Sequence, residues 1–146
     1  MEFDVRVKLA VYSHFAETGH RPSPDEVAER IGSDVASVLE SYQRLRVQRL
    51  LVLESDEKSI RMAPPFSGVS TQHLVEADGI QYFANCAWDA LGILAALNTA
   101  GTVHSCCAQS GERLQLHIDI HGPESSDWLF HCLVPAAKWW DDIVFT

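Results

Sequence analysis

The spacing of apolar residues changes character near residue 50, and that change restricts the fold more than any other feature of the chain. Before it, apolar side chains recur every three or four positions, the period of amphipathic helices. After it, they come in short runs bounded by turn residues, as strands do. Val5, Leu9, Tyr12 and Phe15 predict a first helix ending near Gly19. Ser23, Pro24 and Glu26 form a complete start signal, a capping box with proline at the first helical position. Val27, Ala28 and Ile31 then face inward and Gly32 stops the helix. Ser33 opens a third helix, with Val35, Val38, Leu39, Tyr42 and Leu45 on one face. Leu50–Leu53 and Ser59–Met62 flank the polar turn Ser55-Asp56-Glu57-Lys58 and read as a hairpin. Three helices and a hairpin are the pattern of a winged helix-turn-helix lobe over residues 1–65.

Pro64-Pro65 is expected to mark a linker. Beyond it, Gln72–Ala77 and Ile80–Asn85 are strand-like around Asp78-Gly79, a strong two-residue turn signal. From Cys86 the residues become helix formers, nearly all apolar, so a buried helix is expected, with Gly101 ending the segment. Val103–Ala108 and Arg113–Ile120 read as a second hairpin, Trp128–Val134 as a further strand, and Ala136–Asp142 as a helical turn. The expected fold is therefore α+β: a winged-helix lobe packed on a small mixed β-sheet lobe, residues 66–146, with one buried helix. The chain closes on apolar Ile143-Val144-Phe145, whereas termini are usually polar, so a further segment is expected to follow.

Charge narrows the function. The net charge is −9, with nine basic against eleven acidic residues up to residue 66 and two against nine beyond it. Such an acidic second half suits a small neutral or cationic ligand and not a phosphate backbone. Arg44, Arg46 and Arg49 lie only near the end of the third helix, whose first half carries Asp34 and Glu40. That pattern argues against DNA in a major-groove mode and favours a packing role for the first lobe. No apolar run reaches the roughly 20 residues of a membrane span, and the acidic N-terminus has no signal-peptide pattern, so a cytoplasmic protein is expected. Cys86, Cys106, Cys107 and Cys132 are then thiols or metal ligands and not a disulfide framework.

Cys86 and Asp89 are the candidate chemistry. A cysteine at a helix start meets unpaired N–H groups and the positive end of the dipole, which favour the thiolate. Asp89, three residues on, shares its face and can give or take a proton near a metal-bound sulfur. The bland alternative is a small core cysteine beside an aspartate that merely favours the helix N-terminus.

The stretch Tyr82-Phe83-Ala84-Asn85-Cys86-Ala87-Trp88-Asp89-Ala90-Leu91, followed by Val103-His104-Ser105-Cys106-Cys107-Ala108, resembles the alkylmercury (organomercurial) lyase family. The aromatic-x-x-Cys-Ala-x-Asp segment is its specific part. The resemblance implies protonolysis of a carbon–mercury bond, with an organometal as substrate and Hg(II) as the enzyme-held product. Cys86 would bind mercury as a thiolate, and Asp89 would deliver the proton and contact the metal. No resident cofactor is implied, and external thiols would remove Hg(II). Mercury prefers sulfur, and two thiolates polarise its bond to carbon more than one. The family's second catalytic cysteine is expected beyond residue 146, and nothing in this chain aligns with it. Cys107 matches a family cysteine regarded as structural and Cys106 is an extra neighbour. Either could lend mercury a second sulfur if the fold brought it within reach, as could Cys132.

Two other constellations are weaker. His104, His117, His121 and His131 join these cysteines in a Cys/His-rich half that could take up zinc or copper adventitiously. The Cys-x₂₋₄-Cys spacing of a dedicated zinc site is absent. His117 and His121 are expected on one face of a strand, and vicinal Cys106 and Cys107 on opposite faces. Trp139-Trp140-Asp141-Asp142 reads as a core edge or an interface, with no third carboxylate placed for a hard metal. A non-catalytic metal- or ligand-binding relative and a DNA-binding regulator are the alternative functions. Oligomeric state stays open, a homodimer included, and a partner chain could then supply a sulfur.

Overall fold

The structure, a computed structural model, describes residues 2–145. Three helices open the chain: α1 (Phe3–Thr18), α2 (Pro24–Ile31) and α3 (Val35–Val47). Each begins or ends as its sequence dictates. Gly19 closes α1 at a φ of 76°, and Gly32 closes α2 at 64°, left-handed values that glycine adopts without steric cost. Ser23 and Glu26 satisfy each other's backbone N–H groups in the capping box, and Asp34 caps α3 by accepting from the N–H of Ser37.

Helix α1 buries a different stripe from the expected one. Val7, Ala10, Val11 and Phe15 are buried, whereas Val5 and Leu9 face outward. Both sets obey helical spacing, so the period alone does not choose between them. Contact with α2 and α3 on one side and the sheet on the other decides it. The face expected of α3 is confirmed, with Val38, Tyr42 and Leu45 buried.

The strands are β1 (Val52–Leu53), β2 (Ile60–Ala63), β3 (Phe66–Ser67), β4 (His73–Ala77), β5 (Ile80–Ala84), β6 (Gly101–Cys106), β7 (Arg113–Asp119) and β8 (Gly122–Pro123). They form one sheet in the order β1-β2-β3-β5-β4-β6-β7-β8. Every neighbouring pair is antiparallel, which corrects the expectation of a mixed sheet. The connections explain it: Asp78-Gly79 joins β4 to β5 with φ values of 51° and 79°, and the helical crossover through α4 links β5 to β6, which flank β4 and so are not neighbours.

Pro64-Pro65 is a tight turn with a cis peptide between β2 and β3, not a linker. The sheet therefore runs without a break across residue 65. So does the core: Phe66 of β3 stacks on Phe15 of α1 at 5.3 Å between ring centroids and lies 5.8 Å from the ring of Tyr82 on β5. The Tyr82 hydroxyl donates to the carbonyl of Ala16 at 2.8 Å, pinning α1 to β5.

Helix α4 (Ala87–Leu97) lies on the sheet with Ala90, Ile93 and Leu94 buried, while Trp88, Ala95 and Ala96 remain exposed. It is half-buried and not enclosed, because a single sheet face covers it. Gly101 opens β6 and does not terminate the helix, a role taken by Asn98 at a φ of 52°. A Cβ on Gly101 would come within 2.5 Å of the Glu76 carbonyl oxygen and 2.6 Å of the Leu94 side chain, so glycine lets β6 pass beneath α4.

The expected strand at Trp128–Val134 does not form. Residues 124–134 are irregular, and Leu129, Phe130 and Leu133 are exposed. Gly122–Pro123 pair with Ile118 and Asp119 at the end of β7, and the apolar run that follows joins no strand. Cys132 consequently lies in an irregular segment. Ala136–Asp141 form the expected helical turn, of the 3₁₀ type.

Candidate active site

Strand β5 ends at buried Ala84, and the chain passes through Asn85 into Cys86, the residue flanking the first turn of α4. Cys86 is extended, with φ −149° and ψ 177°, so the strand direction persists until Ala87 begins the helix. Asp89 follows one turn later. Asn85, Cys86 and Asp89 are all half-buried. The Asn85 amide donates to Asp89 Oδ2 at 3.2 Å. Spacing alone gives Asn85 no role, and its signal is only its place beside the cysteine.

Burial raises the pKa of the Cys86 thiol. The N–H groups of Asp89 and Trp88 oppose that rise, while the charge of Asp89 adds to it. Two effects therefore oppose each other at the sulfur: desolvation favours the thiol, and the N–H groups of the helix start favour the thiolate. Burial also raises the pKa of Asp89, against the pull of the Asn85 amide and the Cys86 thiol. Sulfur and carboxyl therefore share one desolvated patch in which both hold protons more tightly than in water.

A third group comes from the helical region. The hydroxyl of Tyr12 on α1 donates to the carbonyl of Pro64 at 3.0 Å. Burial and then the charge of Asp89 raise its pKa, so the carboxylate's field reaches the phenol. Tyr12 reads from sequence as a core residue, because nothing local to it signals a carboxyl that follows 77 positions later. Beside the pair, exposed Trp88 packs on Phe130 at 5.8 Å between ring centroids.

The other three thiols have their partners elsewhere. Cys106 bonds to the side chain of Gln72. Cys107, in the β6–β7 turn, accepts from the N–H of Ser110 at 3.5 Å, and its pKa is lowered by the Ser110 side chain and then by the N–H groups of Ser110 and Gln109. Cys132 donates to the Val134 carbonyl at 3.1 Å. The histidines are equally dispersed. His104 pairs with Glu76 at 3.1 Å, His117 lies on β7, and His121 occupies the β7–β8 turn and not the strand expected for it. Among the described residues, no three Cys, His, Asp or Glu side chains are grouped to hold a metal ion. Grooves of about 340 and 410 Å³ lie at the far end of α4 and at Gln72, His104 and Arg113, and Cys86 and Asp89 line neither.

Comparison with known proteins places these features in a family. A family description, MerB: Alkylmercury lyase, matches residues 66–146. No curated protein matches the sequence. Among solved structures, the mercury-bound form of MerB2 is similar in fold, with a TM-score of 0.60 and 19% identity over 84% of this chain and 68% of that one. The match to residues 66–146 takes in more than half of the chain, including the turn from β5 into α4 that carries Cys86 and Asp89. The chain belongs to the alkylmercury lyase family.

Proposed function

We propose that the protein cleaves carbon–mercury bonds by protonolysis, with Cys86 taking the metal and Asp89 handling the proton. The observation that carries this reading is the desolvated thiol–carboxyl pair at the start of α4. An organomercurial reaches such a site as its thiol adduct, R–Hg–SR′. Cys86 passes its proton to Asp89 as its sulfur bonds to mercury. The carbon–mercury bond then breaks with its electron pair on carbon, which takes the proton from Asp89 and leaves as R–H. Mercury stays divalent on Cys86, SR′ and the freed carboxylate. A second external thiol, R″SH, reprotonates Cys86 and carries away Hg(SR′)(SR″). No oxidant or reductant is required.

The same reading takes residues 1–65 as a winged-helix lobe that packs and does not bind DNA. Arg44 bonds to Asp4 at 2.7 Å, Arg46 to Glu57 at 3.2 Å, and Arg49 lies 6.0 Å from the Trp140 ring, so the three arginines are already engaged. Work in the cytoplasm, where thiols are abundant, fits this chemistry. Among the described residues, no helix is long and apolar enough to cross a membrane.

The test is incubation with methylmercury and excess thiol, with methane and released Hg(II) as readouts. Turnover is expected. Stoichiometric mercury binding without methane would instead identify a metal-binding relative that has lost the chemistry.

A further inference from the structure

The Pro64-Pro65 turn is held from two sides. On one, its Pro64 carbonyl accepts the hydroxyl proton of Tyr12 at 3.0 Å. On the other, the backbone of α4 approaches so closely that a Cβ on Gly92 would lie 3.3 Å from Cβ of Pro65. Glycine inside a helix costs about 1 kcal/mol relative to alanine, and close approach to a neighbour is the usual reason to keep it. Gly92 is three residues after Asp89 and so lies on the same side of α4 one turn on. The turn is thus a rigid spacer between α1 and the stretch of α4 that presents the carboxyl.

We propose that Tyr12 is a positioning residue for the thiol–carboxyl pair, acting through the Pro64-Pro65 turn to set where the first half of α4 rests on the sheet. The proposal builds on the lyase reading. Tyr12 is not the proton source, because its single hydroxyl proton is committed to the Pro64 carbonyl. Its ring packs edge-on against Phe66 at 6.3 Å, so Tyr12→Phe removes the hydroxyl bond while keeping the apolar contact. A packing residue would tolerate that change. A positioning residue would not, since small displacements of a reacting group cost far more in rate than in stability.

The experiment compares wild type, Tyr12→Phe and Gly92→Ala, the last pressing on the turn from the other side. Two quantities are read: lyase kcat and KM with methylmercury, and the rate of Cys86 alkylation by iodoacetamide, with Cys107 in the β6–β7 turn, which Tyr12 and the Pro64-Pro65 turn do not contact through α4, as internal control. Both variants are expected to lower kcat about tenfold with KM within about twofold. Both should change the Cys86 alkylation rate at least about threefold, while that of Cys107 holds. Unchanged kcat and Cys86 alkylation in Tyr12→Phe would overturn the proposal. So would a uniform rise in alkylation of all the cysteines, the sign of general loosening. If the wild type releases no methane, the lyase reading fails, and the alkylation comparison alone still decides the role of Tyr12.

Discussion

At the scale of single residues, Asp89 is held in a state that costs stability. Burial raises its pKa, so the folded protein grips the carboxyl proton more tightly than the unfolded chain does. The resulting penalty is full above the folded pKa and is relieved as pH falls towards the ordinary carboxylate value. Asp89→Asn removes the ionisation and keeps the shape. It should therefore raise the melting temperature at neutral and alkaline pH, lose that gain in acid, and abolish methane release. A melting series against pH checks the sign. Tyr42 makes a parallel case without chemistry. Its hydroxyl is buried with no hydrogen-bond partner among the described residues, so Tyr42→Phe should be neutral or stabilising by about 1 kcal/mol in denaturant titration. Sequence shows the Cys86–Asp89 spacing plainly, because it is local. It does not show that burial opposes the helix start at the thiol, since residues far along the chain bury that sulfur. Tyr12 was illegible for the same reason.

At the scale of elements, local signals do most of what sequence can do. The Ser23–Glu26 box forms as its residues dictate, and Ser23→Ala should cost about 1 kcal/mol by denaturant titration. Gly19 combines two constraints: a φ of 76° and a Cβ position 2.0 Å from the Gln81 carbonyl oxygen. Gly19→Ala should lower stability by more than the roughly 1 kcal/mol of an ordinary glycine replacement at a left-handed position, because backbone must move as well. The helix was legible here and its buried stripe was not. Val5–Leu9 and Val7–Val11 have equal spacing, and the choice between them falls to α2, α3 and β5, the last more than 60 residues away. The missing strand at Trp128–Val134 teaches the same lesson from the other side. An apolar run has strand character in isolation, yet it becomes a strand only when a partner strand pairs with it.

At the scale of the whole molecule, the sheet and the core cross the boundary that the sequence suggests at residue 65. Phe15, Phe66 and Tyr82 form one aromatic cluster joining the helices to the sheet. Neither half buries its apolar face without the other, so unfolding should be a single cooperative event. The chain offers a direct check. All four tryptophans lie beyond residue 66, whereas the first three helices dominate the far-ultraviolet dichroism. Tryptophan fluorescence and dichroism should melt together, and two separated transitions would show independent lobes. The Pro64-Pro65 pair looked like a linker because proline interrupts local patterns. What it joins, β2 to β3 with α4 resting above, depends on contacts that no local window contains.

One paired sulfur and carboxyl, sheltered from water where β5 turns into α4, is the centre of this account. The most direct measurement is a single turnover of methylmercury in D₂O with excess thiol, following the isotopic composition of the methane. The wild type should release CH₃D with a deuteron drawn from the exchangeable pool, and Cys86→Ser and Asp89→Asn should each release none. Methane formed by either variant at the wild-type rate would contradict the assignment of the chemistry to this pair.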